Sequence, residues 1–230
     1  MRRFADLYAR LDGSTATLAK VEALAAYFAS APAADAAWAV YVLAGRKLKR
    51  LIKSGELREL AVAASGYPAW LVEESYSHVG DLAETIDLLI DAPAVADDDT
   101  PLHAWIEQRL APLPALDAPA RAERLLGWWR ALPHAERFVL NKLLTGSLRV
   151  GVSQRLVVQG LAKVSGIGTA QIAHRLTGDW KPTADAFRAL LDVAGAAADT
   201  DQPYPFFLAS PLEQPADALG ERSDWLAEWK

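Results

Sequence analysis

Two stretches about 100 residues apart carry one pattern, and that duplication constrains the fold more than any single motif. The first is Leu43-Ala44-Gly45-Arg46-Lys47-Leu48-Lys49-Arg50. An apolar helix pattern follows it and ends at Ala64-Ser65-Gly66, then another ends at Gly80-Asp81. The second is Leu144-Thr145-Gly146-Ser147-Leu148-Arg149-Val150-Gly151-Val152-Ser153, followed in the same way by helix patterns ending at Val164-Ser165-Gly166 and Gly178-Asp179. A repeat of this kind predicts two similar halves related by a pseudo-twofold axis. Each half places glycines and cations at the mouth of a helix, the arrangement that holds a phosphate backbone.

Charge is segregated in a way that supports this reading. The net charge of −5 by itself argues against a nucleic-acid partner. Yet residues 45–58 hold six Lys/Arg against one Glu, and residues 137–163 hold five Lys/Arg and no acid. Between them, residues 73–117 hold eleven Asp/Glu against Arg109 alone. Segregation of this kind permits a local positive field on a negative molecule. A single basic run reads most simply as a solvated helix face. Here both runs fall on the duplicated element.

The 230 residues are enough for one large domain or two small ones, and 52% are hydrophobic, so a substantial core is expected. The absence of cysteine excludes disulfides and thiolate metal sites. His78, His103, His134 and His174 show no i, i+4 ligand spacing and read as surface or capping residues; no metal site is expected. Met1-Arg2-Arg3-Phe4-Ala5-Asp6 has no signal-peptide core. The nearly uncharged run Ala23–Gly45 contains Ser30-Ala31-Pro32-Ala33-Ala34-Asp35, which stops one helix and starts another, so it reads as two buried helices rather than a membrane span. A monomeric cytoplasmic protein is the default.

Helical periodicity dominates to about residue 198. Leu7, Leu11, Leu18, Val21, Leu24, Ala25 and Phe28 recur at a period near 3.6, as do Leu125, Trp128, Trp129 and Leu132 after Asp117-Ala118-Pro119. Ser14 or Thr15 can cap the second helix, Ser153 the run from Leu156, and Thr169 the next. Gly146 stands where a left-handed residue ends a helix. Strand-like alternation is nearly absent, so an all-α domain is expected. Asp91–Pro101 and Ala111–Pro119 read as loops joining the halves. Beyond Thr200, Gln202-Pro203-Tyr204-Pro205-Phe206-Phe207-Leu208-Ala209-Ser210-Pro211 reads as an extended linker, and Trp225–Lys230 as the first strand of a further domain, so a fragment of a longer protein is expected. The expected organisation is a helical domain over residues 1–198, with halves of about 1–92 and 100–198, and a linker and strand over residues 199–230.

In the second repeat, Gly146 and Gly151 allow close backbone approach. Ser153 and the amides after it can face a phosphate, and Arg149 adds a charged fork. The structural alternative is a helix–turn–helix with a glycine stop and a serine start, a common connection. Trp70, Trp105, Trp128, Trp129 and Trp180 stand at helical positions and read as core rather than base-stacking platforms. No Walker motif, dinucleotide fingerprint or nucleophile triad is present.

Phe4-Ala5-Asp6-Leu7-Tyr8, Leu143-Leu144 with Thr145-Gly146-Ser147-Leu148-Arg149-Val150-Gly151-Val152, Phe206-Phe207-Leu208-Ala209-Ser210-Pro211 and Ala227-Glu228-Trp229-Lys230 together resemble the N-terminal part of ATP-dependent DNA ligases. The resemblance runs through the whole chain in order. It implies an all-helical DNA-binding domain that packs two similar halves against the minor groove of nicked double-stranded DNA. Carried over by position, Gly146, Arg149 and Gly151, with Thr145, Ser147 and Ser153 around them, would lie on the duplex backbone. Gly45, Arg46, Lys47 and Lys49 would play the same part from the other half, which lacks the second glycine. Lys230 would match the lysine that attacks the α-phosphate of ATP. The whole enzyme would use ATP and Mg²⁺ to join a 5′-phosphate to a 3′-hydroxyl; residues 1–230 alone would bind neither and would be inactive. Sealing nicks of any sequence calls for reading shape and phosphates rather than base edges. Two rivals remain at this point. A helical-repeat scaffold for protein partners predicts solenoid stacking, and a duplex-binding regulator predicts sequence preference.

Overall fold

The computed structural model describes residues 1–90, 99–146, 148 and 150–193. The linker, the terminal strand and Lys230 lie outside the described residues, as do Ser147 and Arg149. All regular elements among the described residues are helical. Six helices form the first half: α1 Arg2–Asp12, α2 Thr17–Ser30, α3 Ala33–Leu43, α4 Ser54–Ser65, α5 Ala69–Val79 and α6 Leu82–Leu89. A short helix α7, Leu102–Ala104, runs into a π-helical turn, Trp105–Leu110, and a 3₁₀ turn follows at Leu113–Ala115. The second half comprises α8 Ala118–Ala131, α9 His134–Thr145, α10 Gln154–Ser165, α11 Thr169–Arg175 and α12 Ala184–Leu190.

Local chemistry explains most of the boundaries. Gly66, Gly80, Gly146 and Gly166 each follow a last helical residue in the left-handed conformation, which costs glycine no steric strain. Pro32 stands between α2 and α3 and splits the apolar run into two short helices; no helix among the described residues is long and apolar enough to cross a membrane. Asp81 and Asp117 cap α6 and α8 by accepting from the amides of Glu84 and Ala120.

Several local expectations are corrected. The cap of α2 is Ala16, not Ser14 or Thr15, and Ser14 Oγ instead accepts from the Ala16 amide at 3.2 Å. Thr169 is the first residue of α11, behind Gly168. Ser153 occupies the N-cap of α10, but its side chain makes no capping bond. The loop expected over Ala111–Pro119 contains the 3₁₀ turn, and α8 begins inside it.

Helices exchange partners between the halves. α2 packs on α10 and α8 on α4; α6 packs on α9 and α12 on α3. One continuous core results, with Trp105 and Trp129 fully buried in it. A solenoid, in which each repeat touches only its neighbours, does not pack this way. At the α2–α10 crossing, a Cβ on Gly160 would sit 2.8 Å from Leu24 Cβ, so this glycine sets the closest approach of the two helices. Gly160→Val is expected to force them apart and to lower stability by about 1–3 kcal/mol, read as a fall in urea midpoint with unchanged slope.

Other expectations about burial fail where periodicity does not reveal which helices become neighbours. Trp70 is 69% exposed at the start of α5, and Leu18 lies on the outer face of α2. Trp128 and Trp180 are half-buried. His174 is buried rather than on the surface, and His103 contacts Asp35 Oδ1 through Nδ1 at 2.6 Å.

Candidate functional site

The two repeated turns, far apart in the chain, meet in space. α3 ends at Leu43, Gly45 turns with φ +86°, and an irregular stretch leads to α4 at Ser54. α9 ends at Thr145, Gly146 turns with φ +69°, Gly151 turns again with φ +61°, and α10 follows. A cleft of about 400 Å³ lies between them, with Lys47, Lys49, Arg50 and Ser54 on one side and Thr145 and Gly146 on the other. A neighbouring depression of about 260 Å³ brings Gly45 and Lys47 against Leu143, Gly146 and Leu148. Lys47, Leu48, Leu143 and Gly146 line both hollows, so they form one face.

Cations on this face divide into two kinds. Lys47, Lys49 and Arg50 of the cleft are exposed, and so is Lys53, next to the lining residue Ser54. None of the four makes a side-chain hydrogen bond or ion pair among the described residues. Arg46, by contrast, is committed. Its guanidinium donates to the carbonyls of Leu176 at 2.8 Å, Gly178 at 2.9 Å and Trp180 at 3.2 Å. It therefore closes the chain between α11 and α12 onto the first turn, a role that its place in a basic run does not reveal. Lys142 is likewise held beside the cleft, pairing with Asp81 at 2.7 Å and standing 4.9 Å from the centre of the Phe138 ring.

The small residues differ in what they leave open. A Cβ on Gly146 would meet no atom within 4 Å, so a substitution there meets only the backbone strain of a positive φ, and the space over the turn stays free for a ligand. A Cβ on Gly151 would stand 2.7 Å from Lys20 Nζ. Thr145 Oγ1 donates back to the Asn141 carbonyl at 2.9 Å. Ser153 is exposed at the uncapped start of α10, and α4 starts equally uncapped behind Lys53. Their first amides therefore have no side-chain acceptor, and the positive end of each helix dipole faces outward beside the unpaired cations.

Arg50 and Lys53 stand outside the set singled out from the sequence, and so do two further cations. Arg155, on the first turn of α10, is exposed and has no side-chain partner among the described residues; its membership of the second basic run is the only sequence signal for it. Lys20 lies in α2, outside both basic runs, and nothing local marks it. Among the described residues of this face the carboxylate lining the cleft, Asp81, is paired with Lys142, and no activated nucleophile stands beside it. The chemistry of the face is that of a polyanion grip built from exposed cations, open glycine turns and helix N-termini.

The model of the DNA ligase N terminus matches residues 1–162. Over 222 residues the chain is 28% identical to a probable DNA ligase of Koribacter versatilis (strain Ellin345), an alignment covering 92% of this chain and 38% of that relative. The chain thus spans less than half the length of the relative. A family match over 162 of its 230 residues, on a helical fold that joins the two repeats, makes this chain a member of the DNA ligase N-terminus family.

Proposed function

We propose that this domain grips nicked duplex DNA by its phosphate backbone, with the two glycine turns on the minor-groove side, so that a ligase can seal the nick. The observation that carries the reading is the convergence of the two repeats on one face that holds Lys47, Lys49, Arg50 and Lys53 without acidic partners. The exchanged packing of α6 with α9 and α12 with α3 supports a pseudo-twofold relation between the halves, which suits a ligand whose two strands are themselves related by twofold symmetry. Uncapped helix starts and open glycines recognise phosphate without reading bases, which a nick of arbitrary sequence requires.

Gly45, Lys47, Lys49, Thr145, Gly146, Gly151 and Ser153 remain the contact set within the described residues, with Ser147 and Arg149 proposed beside them. Arg46 acts from behind the turn. Lys230 is proposed as the lysine adenylated by ATP. It lies outside the described residues, so the chemistry derived for the helical domain is binding alone.

Gel shifts over a salt series, with nicked and intact duplexes of several sequences, test the reading. Each phosphate neutralised is expected to add about 0.9 to the log–log salt slope. Retardation that varies little with sequence supports the proposal. No retardation at low salt, or strong preference for one sequence, would overturn it.

A further inference from the structure

We infer that Lys20 is a positioning residue of this DNA-binding face, one that fixes the second glycine turn from behind without touching DNA; the inference rests on the backbone-gripping reading above. Lys20 is only 7% exposed. From α2 in the first half, its ammonium donates to the carbonyls of Val150 at 2.7 Å and Gly151 at 3.2 Å, in the turn that leads into α10 of the second half. Its charge meets carbonyl dipoles rather than a carboxylate.

Burying an ammonium is costly unless hydrogen bonds compensate it, and an apolar side chain of similar length would fill the same space without that cost. What the ammonium adds is a direction. It holds two successive carbonyls inward and so turns the opposite side of the loop toward solvent. Gly151 belongs to the same device, since its positive φ suits glycine and its Cβ position is claimed by the Lys20 ammonium. Helix α2 is itself fixed against α10 by the close approach at Gly160 and by the ion pair of Lys163 with Glu22.

The other half contains a counterpart. Arg121 is the fourth residue of α8, as Lys20 is of α2. It donates to Glu56 Oε1 at 2.6 Å in the first turn of α4, and to the Leu116 carbonyl at 2.7 Å. Each half thus sends a cation from an equivalent helix into the other half, Lys20 to the turn before α10 and Arg121 to the first turn of α4. Such cross-bracing sets the separation of the two turns, and a rigid ligand such as duplex DNA requires that separation to be fixed before binding.

The test compares Lys20→Met with the wild-type chain. Affinity for nicked duplex is expected to fall on the order of tenfold while the log–log salt slope stays unchanged, because no phosphate contact is removed. Lys47→Ala, by comparison, should lower that slope by about 0.9. In DNA-free protein, hydrogen exchange at residues 150–153 should quicken in Lys20→Met and stay unchanged in Lys47→Ala. Should Lys20→Met fail to fold, Lys20→Gln, which keeps a shorter buried donor beneath the same two carbonyls, is expected to show a smaller loss with the same unchanged slope and a milder quickening of exchange at residues 150–153. Unchanged affinity, or a slope that falls as for a direct phosphate ligand, would overturn the inference. If the wild-type chain binds no duplex, the reading of the face fails with it, and the exchange difference alone then decides whether Lys20 holds the turn.

Discussion

Replacing Lys47, Lys49 and Arg50 together by alanine is expected to weaken duplex binding on the order of 100-fold near 0.1 M salt, with the log–log salt slope falling by about 2.7. All three are exposed and line the cleft between the two turns, without a side-chain partner among the described residues. Their removal takes away no side-chain hydrogen bond or ion pair among the described residues, so folding stability should change by no more than about 0.5 kcal/mol per site. Fluorescence anisotropy with a labelled nicked duplex, run beside thermal melting, separates the two effects. Full retention of the slope would show that these cations are ordinary solvated charges and that the face has been misassigned. Arg46→Ala should behave differently. It leaves the carbonyls of Leu176, Gly178 and Trp180 without their donor, so its first effect is on stability rather than on the slope.

The largest expected loss of stability is at Asp87, which joins the halves. This carboxylate lies in α6 and accepts from Arg137 Nε of α9 at 2.8 Å, with both side chains buried; His134 Nε2 approaches its other oxygen at 2.8 Å. Asp87→Ala deprives a buried guanidinium of this carboxylate and is expected to cost about 3–5 kcal/mol, measured by urea unfolding. A loss below about 1 kcal/mol would show that the α6–α9 contact rests on its apolar residues alone. The pair also carries a pH signature. Burial pushes the Asp87 carboxyl above the usual aspartate value, against the opposing pull of Arg137 and His134. A carboxyl raised in the folded state binds its proton more tightly there than in the unfolded chain. Its contribution is therefore fully present below about pH 3.9 and is lost as pH rises through the folded value. Wild-type stability measured against Asp87→Asn should decline across that window and level off above it. A relative stability that rises with pH instead would mean that Arg137 outweighs the burial.

What the sequence by itself determined is local. Gly66, Gly80, Gly146 and Gly166 end their helices, and Pro32 parts α2 from α3, because a left-handed stop and a missing amide act within one turn of chain. The helical class followed from periodicity, and the duplicated Gly45 and Gly146 turns were visible because a repeat needs no partner to be seen. Only the tertiary structure decided that these two turns share one cleft, that α6 reaches across to α9 and α12 to α3, and which cations are spent inside the fold. Lys47 and Arg46 are neighbours in one basic run, yet one faces solvent and the other closes on three carbonyls more than 120 residues away. Lys20 shows the same limit from the other side, since a lone lysine in an apolar helix gives no sign of the carbonyls at Val150 and Gly151 that hold it. Trp70 and Trp129 both sit at helical positions, but only Trp129 meets a facing helix and a donor's partner in Asn141. Burial and hydrogen bonding are properties of pairs, and the second member of each pair is supplied by the packing of the two halves.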